Sequence, residues 1–433
     1  MSVLTPAVRE RALAAAQPRR LGTVTELAGL HLLVTGLSVA IGDLVEIRDE
    51  LLAEVVALRT DGAVCLPLGS VHGVRVGDLV RHTGGPLRLL VGEALRGRVL
   101  DGLGRPVDGG PALDTLGLES VTVDATAPHA LQRPRITEPL GLGVRALDGL
   151  VPCGRGQRIG IMAGSGVGKS SLLSMIARGS SADVSVIALV GERGRELREF
   201  IDNDLGPEGL ARSVVVVATS DAPAVERLRA AFVATRIAEW FRDAGRHVVL
   251  MMDSLTRVAM AQREIGLSAG EPPATRGYPP SVFGLMPRLL ERAGTSPTGS
   301  ITGLYTVLVE GDDLQDPIGD TARSILDGHI VLTRELATAG HFPAVDVLES
   351  ISRLTAAVCT PEQQADATML RRMLAAHRSV KELVEIGAYV AGSSPDADAA
   401  LARMPQIEAF LRQRMDETSS LEETWAALAS ITH

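Results

Sequence analysis

The chain has 433 residues, and its 52 Asp and Glu residues outnumber its 43 Lys and Arg residues, which gives a formal net charge of −9. An acidic chain is a poor match for a broad nucleic-acid footprint, and an aromatic content of only 3% disfavours a surface that stacks single-stranded bases. The 45% of hydrophobic residues is ordinary for a globular protein, and the length suggests about two to four domains.

Lysine is almost absent from the chain. Only two of the 43 basic residues are lysines, Lys169 and Lys381, and the other 41 are arginines. We infer a bias that has replaced lysine by arginine at most positions. Each remaining lysine is therefore a candidate position for chemistry that requires an ammonium group.

The cysteines and the apolar segments indicate a reduced, cytoplasmic protein. Cys65, Cys153 and Cys359 are odd in number and far apart, which disfavours a disulfide framework. The uncharged residues 27–42 are too few and too polar to span a bilayer. The chain opens without the pattern of a signal peptide. We therefore expect a protein that is at most peripheral to a membrane.

Residues 1–20 are predicted to form one short helix. Thr5 can cap it, Pro6 suits its first position, and Pro18 ends it. A frayed terminus explains this segment as well as a helix that docks on a partner protein or on an acidic membrane surface.

Residues 21–92 are predicted to form a small β-barrel domain. Short β-branched runs alternate with glycine-containing turns, a pattern typical of closed barrels. The predicted strands are residues 32–34, 44–47, 53–58, 63–67 and 79–81.

Residues 93–360 are predicted to form an α/β domain with a mostly parallel sheet. Its strand candidates are nearly continuous apolar runs, as expected where helices cover both faces of a sheet. They are residues 158–162, 184–190, 213–218, 247–252, 304–309 and 330–333.

The last segment, residues 361–433, is predicted to be helical. Helices are expected over residues 369–386, 396–402, 405–415 and 421–429. Ser420 and Glu423 have the spacing of a capping box for the last of these.

The most specific motif is a glycine-rich phosphate loop. It consists of Ala163, Gly164, Ser165, Gly166, Val167, Gly168, Lys169 and Ser170. It follows a predicted strand and precedes a helix predicted to open at Ser171, which is the context that a P-loop requires. Backbone N–H groups and the helix N-terminus can hold phosphates, while Lys169 can bridge the β- and γ-phosphates and Ser170 can ligate Mg²⁺. The motif departs modestly from the common pattern, which begins with glycine where this chain has Ala163.

Two carboxylates follow strands of the predicted sheet. Glu192 and its neighbour Arg193 come after the strand at residues 184–190, and Asp253 ends the strand at residues 247–252. Ligand-binding groups collect at the carboxyl ends of parallel strands. Glu192 can therefore orient and polarise a water that attacks the γ-phosphate, and Asp253 can lie near Mg²⁺. On position alone, a surface charge cluster would also explain Glu192.

Several longer motifs resemble the catalytic subunits of rotary ATPases. They are residues 164–170, 191–196, 252–257, 277–281, 311–313 and 325–332. Within that superfamily the chain is most similar to the type III protein-export ATPases, and to their flagellar branch in particular. Residues 270–278 and 316–323 support that branch. The resemblance covers roughly residues 20–415.

This resemblance implies an architecture and a set of site residues. It implies a ring-forming barrel, a RecA-like ATPase domain and a C-terminal helical domain, assembled as a homo-hexamer that uses ATP and Mg²⁺. Lys169, Ser170, Glu192 and Asp253 would take the roles argued above. Arg353, which composition cannot distinguish from 40 other arginines, matches the arginine finger that reaches the γ-phosphate of the neighbouring subunit.

The resemblance also implies which residues bind the nucleotide and its adenine base. Arg193 and Ser171 are counted with the nucleotide-binding residues. Phe342 matches an aromatic residue that stacks on adenine, although many relatives have tyrosine there. Met415 stands where the synthase subunit has a second aromatic residue, so its place in the pocket is left open.

The partners implied are those of an export machine. They are a stator-like regulatory protein on residues 1–20, a central coiled-coil stalk facing residues 386–400 of the C-terminal domain, the export gate at the cytoplasmic face of the inner membrane, and complexes of substrates with chaperones. The implied function is ATP hydrolysis that powers export of flagellar proteins.

Several other functions are also compatible with a phosphate loop in a ring-forming chain. An injectisome ATPase would share the same chemistry. A non-catalytic ring subunit would usually lack the carboxylate at Glu192, and the acidic charge disfavours an ATP-driven RNA translocase. A proton-driven ATP synthase comes last, because no proton path is identified.

Overall fold

A computed structural model describes residues 20–309 and 316–433, which divide into one compact unit ending at Leu87 and a second beginning at Arg88. Residues 1–19 of the predicted N-terminal helix and the motif at residues 311–313 lie outside the described residues. None of the described helices combines the length and the hydropathy that a bilayer crossing needs.

The first unit is a closed barrel with the strand order β1-β2-β5-β4-β3-β6. Its strands are β1 Leu21–Ala28, β2 His31–Thr35, β3 Asp43–Ile47, β4 Leu51–Arg59, β5 Gly62–Pro67 and β6 Leu79–Pro86. Side chains such as Val45, Ile47 and Val55 are buried inside it. The predicted barrel is confirmed, but β1 was not predicted, because Val24 is its only large apolar side chain that is buried.

The second unit contains the remaining strands and all of the described α-helices. The strands are β7 Arg88–Val91, β8 Val99–Asp101, β9 Glu119–Thr122, β10 Pro139–Leu140, β11 Cys153–Gly154, β12 Arg158–Ala163, β13 Val184–Glu192, β14 Ser213–Thr219, β15 His247–Asp253, β16 Gly294–Thr295, β17 Ser300–Leu308, β18 Gly328–Leu332 and β19 Val345–Ser352. The helices are α1 Arg145–Leu150, α2 Lys169–Gly179, α3 Gly194–Glu199, α4 Gly206–Ala211, α5 Ala224–Asp243, α6 Leu255–Ser268, α7 Pro280–Leu290, α8 Pro317–Ile325, α9 Arg334–Thr338, α10 Thr355–Val358, α11 Pro361–Glu385, α12 Pro395–Leu411 and α13 Leu421–Thr432.

The central sheet has the order β19-β18-β12-β17-β15-β13-β14-β8 and is mostly parallel, as predicted. The strands from β8 to β18 along this path pair in parallel, and only β16 and the edge strand β19 pair antiparallel. Strand β19 was not predicted, because one of its faces is solvated and it therefore lacks a continuous apolar run. The parallel register brings the last residues of β12, β13 and β15 to one edge of the sheet.

The C-terminal helices share a hydrophobic core with the sheet. Leu370 of α11, Phe410 of α12 and Leu428 of α13 are buried in the same cluster as Leu173 and Ile187. The capping box of Ser420 and Glu423 is present at α13, as predicted.

The prediction of two helices over residues 396–402 and 405–415 was wrong, because α12 is continuous through Pro405. A proline inside a helix costs about 3 kcal/mol, through a lost hydrogen bond and steric conflict. Buried side chains on both sides of Pro405, including Ala400 and Ile407, offset that cost by packing against the core.

The end of the P-loop helix α2 is packed against a tight turn. Gly143 has a φ of 77°, and a Cβ atom on it would lie 2.7 Å from Cα of Gly179, the last residue of α2. The buried carboxylate of Asp148 accepts hydrogen bonds from the backbone N–H groups of Leu142 (2.8 Å) and Gly143 (2.9 Å) and so fixes this turn. The position therefore requires glycine for its backbone and also for its space.

We expect Gly143→Ala to destabilise the protein more than Gly109→Ala does. Both glycines have a left-handed backbone, but the space around Gly109 is open, with no atom within 4 Å of a built Cβ. Backbone strain should lower the free energy of unfolding of the Gly109→Ala control by about 1–2 kcal/mol. Overpacking should lower that of Gly143→Ala by about 1–3 kcal/mol more. Denaturant unfolding measures the difference, and equal losses would contradict the packing argument.

Candidate active site

The phosphate loop joins the end of β12 to the start of α2. Gly166 (φ 77°) and Gly168 (φ 95°) adopt left-handed conformations, while Val167 between them is buried and anchors the loop. Within the described part of the chain, no side chain caps the N-terminus of α2, so its first N–H groups are available to an anion. Ala163, the last residue of β12, is also buried and does not line the cavity in front of the loop.

Lys169 lies between the two predicted carboxylates. Its Nζ atom is 2.6 Å from Oδ1 of Asp253 and 3.6 Å from Oε1 of Glu192. The hydroxyl of Thr306 on β17 donates to the same Oδ1 atom at 2.8 Å. Only 3% of the Asp253 side chain and 12% of the Lys169 side chain are exposed, so this pair is screened little by water.

Glu192 is held in a partly dehydrated position. Burial raises the pKa of its carboxyl group, the Lys169 ammonium lowers that pKa, and the nearby Asp253 carboxylate raises it again, with a net rise. A carboxylate with a raised pKa is a better proton acceptor than an exposed glutamate, as a group that polarises water requires.

A cavity of about 840 Å³ opens in front of these groups. Of the residues predicted for the site, it is lined by Gly164, Ser165, Gly166, Gly168, Lys169, Ser170, Ser171, Glu192, Arg193 and Asp253. Arg193 is largely exposed and pairs with Glu196 at 3.4 Å. The cavity therefore brings the phosphate loop, the candidate base and the candidate magnesium ligands together.

Two further cations, Arg257 and Arg334, line this cavity and were not predicted from the sequence. Arg257 lies one helical turn after Asp253, and its buried Nε atom has no hydrogen-bond partner among the described residues. The sequence could have indicated Arg257, because it lies only four residues after Asp253 and therefore falls in the first turn of α6, close to the end of the strand. Arg334 opens α9 and carried no such signal.

Phe342 lines a second cavity, of about 270 Å³, beside the phosphate loop. Gly168 and Ser171 form one wall, and Met415 from the C-terminal segment forms another. The Phe342 side chain is 46% exposed, and a Cβ on Gly168 would lie 3.5 Å from its ring. The structure thus places Met415 together with Phe342, which the sequence had left open.

Arg353 does not line either cavity of its own chain. It is exposed at the end of β19, where its Nη2 atom donates to the carbonyl of Arg323 at 3.3 Å. Of the sequence-predicted site residues, Arg353 is the one that lies away from the others.

The second lysine, Lys381, forms an ion pair at the protein surface. Its ammonium pairs with Glu335 at 2.8 Å, and the two side chains are 46% and 77% exposed. Such a surface pair contributes little to stability. The structure therefore distinguishes the two lysines, since only Lys169 faces the cavity.

Three family models match successive parts of the chain. The beta-barrel domain of the ATP synthase alpha/beta family matches residues 22–84, and the nucleotide-binding domain of that family matches residues 143–352. The C-terminal domain of the T3SS EscN ATPase matches residues 359–430.

Whole-length relatives agree with these models. The flagellum-specific ATP synthase of Bacillus subtilis is 51% identical over 96% of this chain and 95% of its own length. The type 3 secretion system ATPase of Xanthomonas euvesicatoria is 51% identical over 98% of this chain and 97% of its own length. This chain belongs to the type III export ATPases.

A solved structure confirms the fold of this export ATPase. The assembled ATPase EscN of enteropathogenic E. coli, in complex with its central stalk EscO, superposes with a TM-score of 0.89. It is 46% identical to this chain and covers 95% of this chain and 100% of its own. The predicted class, a P-loop ATPase with an N-terminal barrel and C-terminal helices, is confirmed.

We expect Lys169→Met to destabilise the nucleotide-free export ATPase by about 3 kcal/mol, because it leaves the Asp253 carboxylate buried without a counter-charge. Asp253→Asn in the same background should restore part of that loss. Denaturant unfolding without nucleotide measures both.

Lys381→Met is the matched control, because it removes the only other lysine from an exposed pair and should cost less than about 1 kcal/mol. Equal losses for the two lysine variants would show that the contact between Lys169 and Asp253 does not stabilise the site.

Proposed function

We propose that this chain hydrolyses ATP with Mg²⁺ in a homo-hexameric ring that powers type III export of flagellar proteins. The observation that carries the proposal is the placement of Lys169 between Asp253 and Glu192 at the mouth of the phosphate-loop cavity. This arrangement holds a cation for phosphates, a carboxylate for magnesium and a carboxylate for water within one small volume.

The chain's own groups divide the work. Lys169 exchanges its carboxylate contacts for the β- and γ-phosphates when ATP enters the loop. Glu192 then orients the attacking water by accepting a hydrogen bond from its O–H group, which makes the water oxygen more nucleophilic. Arg257, whose Nε atom has no hydrogen-bond partner among residues 20–309 and 316–433, adds positive charge on the side of the cavity next to Glu192.

The donor set fits magnesium that arrives with a nucleotide. Ser170 and Asp253 line one cavity, and Mg²⁺ is usually held by one or two protein groups together with phosphates and waters. Among residues 20–309 and 316–433, no group of three or more His, Cys, Asp or Glu residues could hold a metal by itself. When bound, Mg²⁺ neutralises charge that develops on the phosphates.

The adenine ring of the nucleotide is proposed to lie between Phe342 and Met415. Both side chains are partly exposed and line the cavity next to Gly168 and Ser171, on the α2 side of the phosphate loop. A flexible thioether packs favourably on π-systems, so Met415 can replace a second aromatic wall.

Arg353 is proposed to act on the neighbouring subunit's nucleotide. Its exposure and its distance from its own cavity are what a finger supplied in trans requires. The assembled state of EscN supports a ring for this chain as well.

The partners proposed are a stator-like regulator on residues 1–20, a central stalk, the export gate and complexes of substrates with chaperones. The complex of EscN with its central stalk EscO supports the stalk. Ile386 (75% exposed) and Val390 (70% exposed) in the C-terminal domain offer apolar contacts for it. We propose a cytoplasmic protein that is peripheral to the inner membrane.

We expect Arg353→Ala to lose turnover by about 10³-fold or more while it retains nucleotide binding, because the finger contributes only in the transition state. Turnover and nucleotide affinity are measured on the same preparation. Wild-type turnover in this variant would exclude the finger.

An injectisome role is the second candidate, because relatives from both systems reach 51% identity. Deletion of the gene separates the two roles. We expect a clean deletion to abolish filament assembly and motility, and a motile deletion strain would refute the flagellar assignment.

A further inference from the structure

Gln157 is a fully buried amide immediately before β12, the strand that ends in the phosphate loop. Its Oε1 atom accepts a hydrogen bond from the backbone N–H of Gly154 at 2.8 Å. Its Nε2 atom donates to the carbonyl of Asp327 and to the hydroxyl of Ser352, both at 3.1 Å. The amide therefore connects its own turn to two segments that are remote in sequence, at Asp327 and at Ser352.

The contacts of Gln157 end on the backbone that carries Arg353. Ser352 is the residue before Arg353, and the Asp327 carbonyl that Gln157 binds also accepts the backbone N–H of Arg353 at 3.0 Å. The two hydrogen bonds thus hold the residue before Arg353 and the acceptor of the Arg353 N–H group.

The turn at Asp327 is itself held by several contacts. Its carboxylate accepts hydrogen bonds from the backbone N–H and Nε of Arg158 at 3.1 and 3.4 Å, and Arg158 pairs with Glu291 at 2.6 Å. A Cβ on Gly328 would lie 2.3 Å from the carbonyl oxygen of Ile351, so the turn and β19 are in close contact. Gln157 therefore connects β12 to the Asp327 turn and the end of β19, which together hold the backbone of Arg353.

We propose that Gln157 is a positioning residue for Arg353, and that it acts on turnover in the neighbouring subunit. This inference rests on the proposed role of Arg353 as a finger in trans. A long arginine side chain delivers its charge accurately only if its backbone is fixed, and a shift of about 1 Å at a reacting group can cost about 10²-fold in rate. The competing role is local, in which Gln157 supports only the phosphate loop of its own chain through β12.

Mixed rings separate the two roles. Donor subunits carry Lys169→Ala, which disables their own site but leaves Arg353, and acceptor subunits carry Arg353→Ala. ATPase activity that appears on mixing comes from acceptor sites completed by the donor's Arg353. We expect donors that also carry Gln157→Met to restore roughly tenfold less activity than donors with Lys169→Ala alone.

Thr302→Val in the donor is the matched control. Thr302 is equally buried and accepts the N–H of Gly156 at 2.8 Å, so the variant removes a neighbouring hydrogen bond that does not reach Asp327 or Ser352. It should leave the restored activity unchanged. Affinity capture of tagged donors verifies that each variant enters mixed rings.

Where Gln157→Met does not co-assemble, Ser352→Ala in the donor deletes only the hydroxyl contact and should lower the restored activity by about fivefold. Full restoration by the Gln157 donor would overturn the inference and leave the finger intact. Failure of donors with Lys169→Ala alone to restore any activity would instead refute the finger, and with it the basis of the inference.

Discussion

Lys169 reaches Asp253 because the strands before them run parallel and end at the same edge of the sheet. The phosphate loop follows β12, and Asp253 ends β15, with β17 between them. Thr306 of β17 binds the same carboxylate oxygen as Lys169, so the intervening strand also contributes to the contact. The cavity, the raised pKa of Glu192 and the proposed magnesium site all depend on this edge.

The electrostatics of the site suit a ligand that brings negative charge. Lys169 contacts two carboxylates, and the Nε atom of Arg257 has no hydrogen-bond partner in the part of the chain that the structure describes. A polyphosphate can replace the two carboxylates as the negative partner of Lys169, and its cation can replace Lys169 as the positive partner of the carboxylates.

Local motifs made much of this site predictable, and long-range contacts made the rest unpredictable. The phosphate loop, Glu192 and Asp253 follow apolar strands directly, so their positions could be derived from the sequence. Contacts such as Gln157 with Ser352, or Phe342 beside Met415, join segments that only the tertiary fold brings together. The edge strand β19 was missed because one of its faces is solvated, and the continuity of α12 was missed because packing outweighed the local effect of Pro405. Arg353 was singled out by family resemblance, not by any physical feature of the sequence.

With Arg353 proposed as a finger in trans, one chain carries an incomplete catalytic site, since Arg353 lies outside its own cavity. The most direct test is the ATPase rate per subunit, measured across a range of protein concentrations that spans the monomer and the ring, with assembly followed by light scattering. A finger supplied in trans predicts that the rate per subunit rises with concentration and levels off as rings form. A constant rate per subunit, down to concentrations at which only monomers are present, would contradict it.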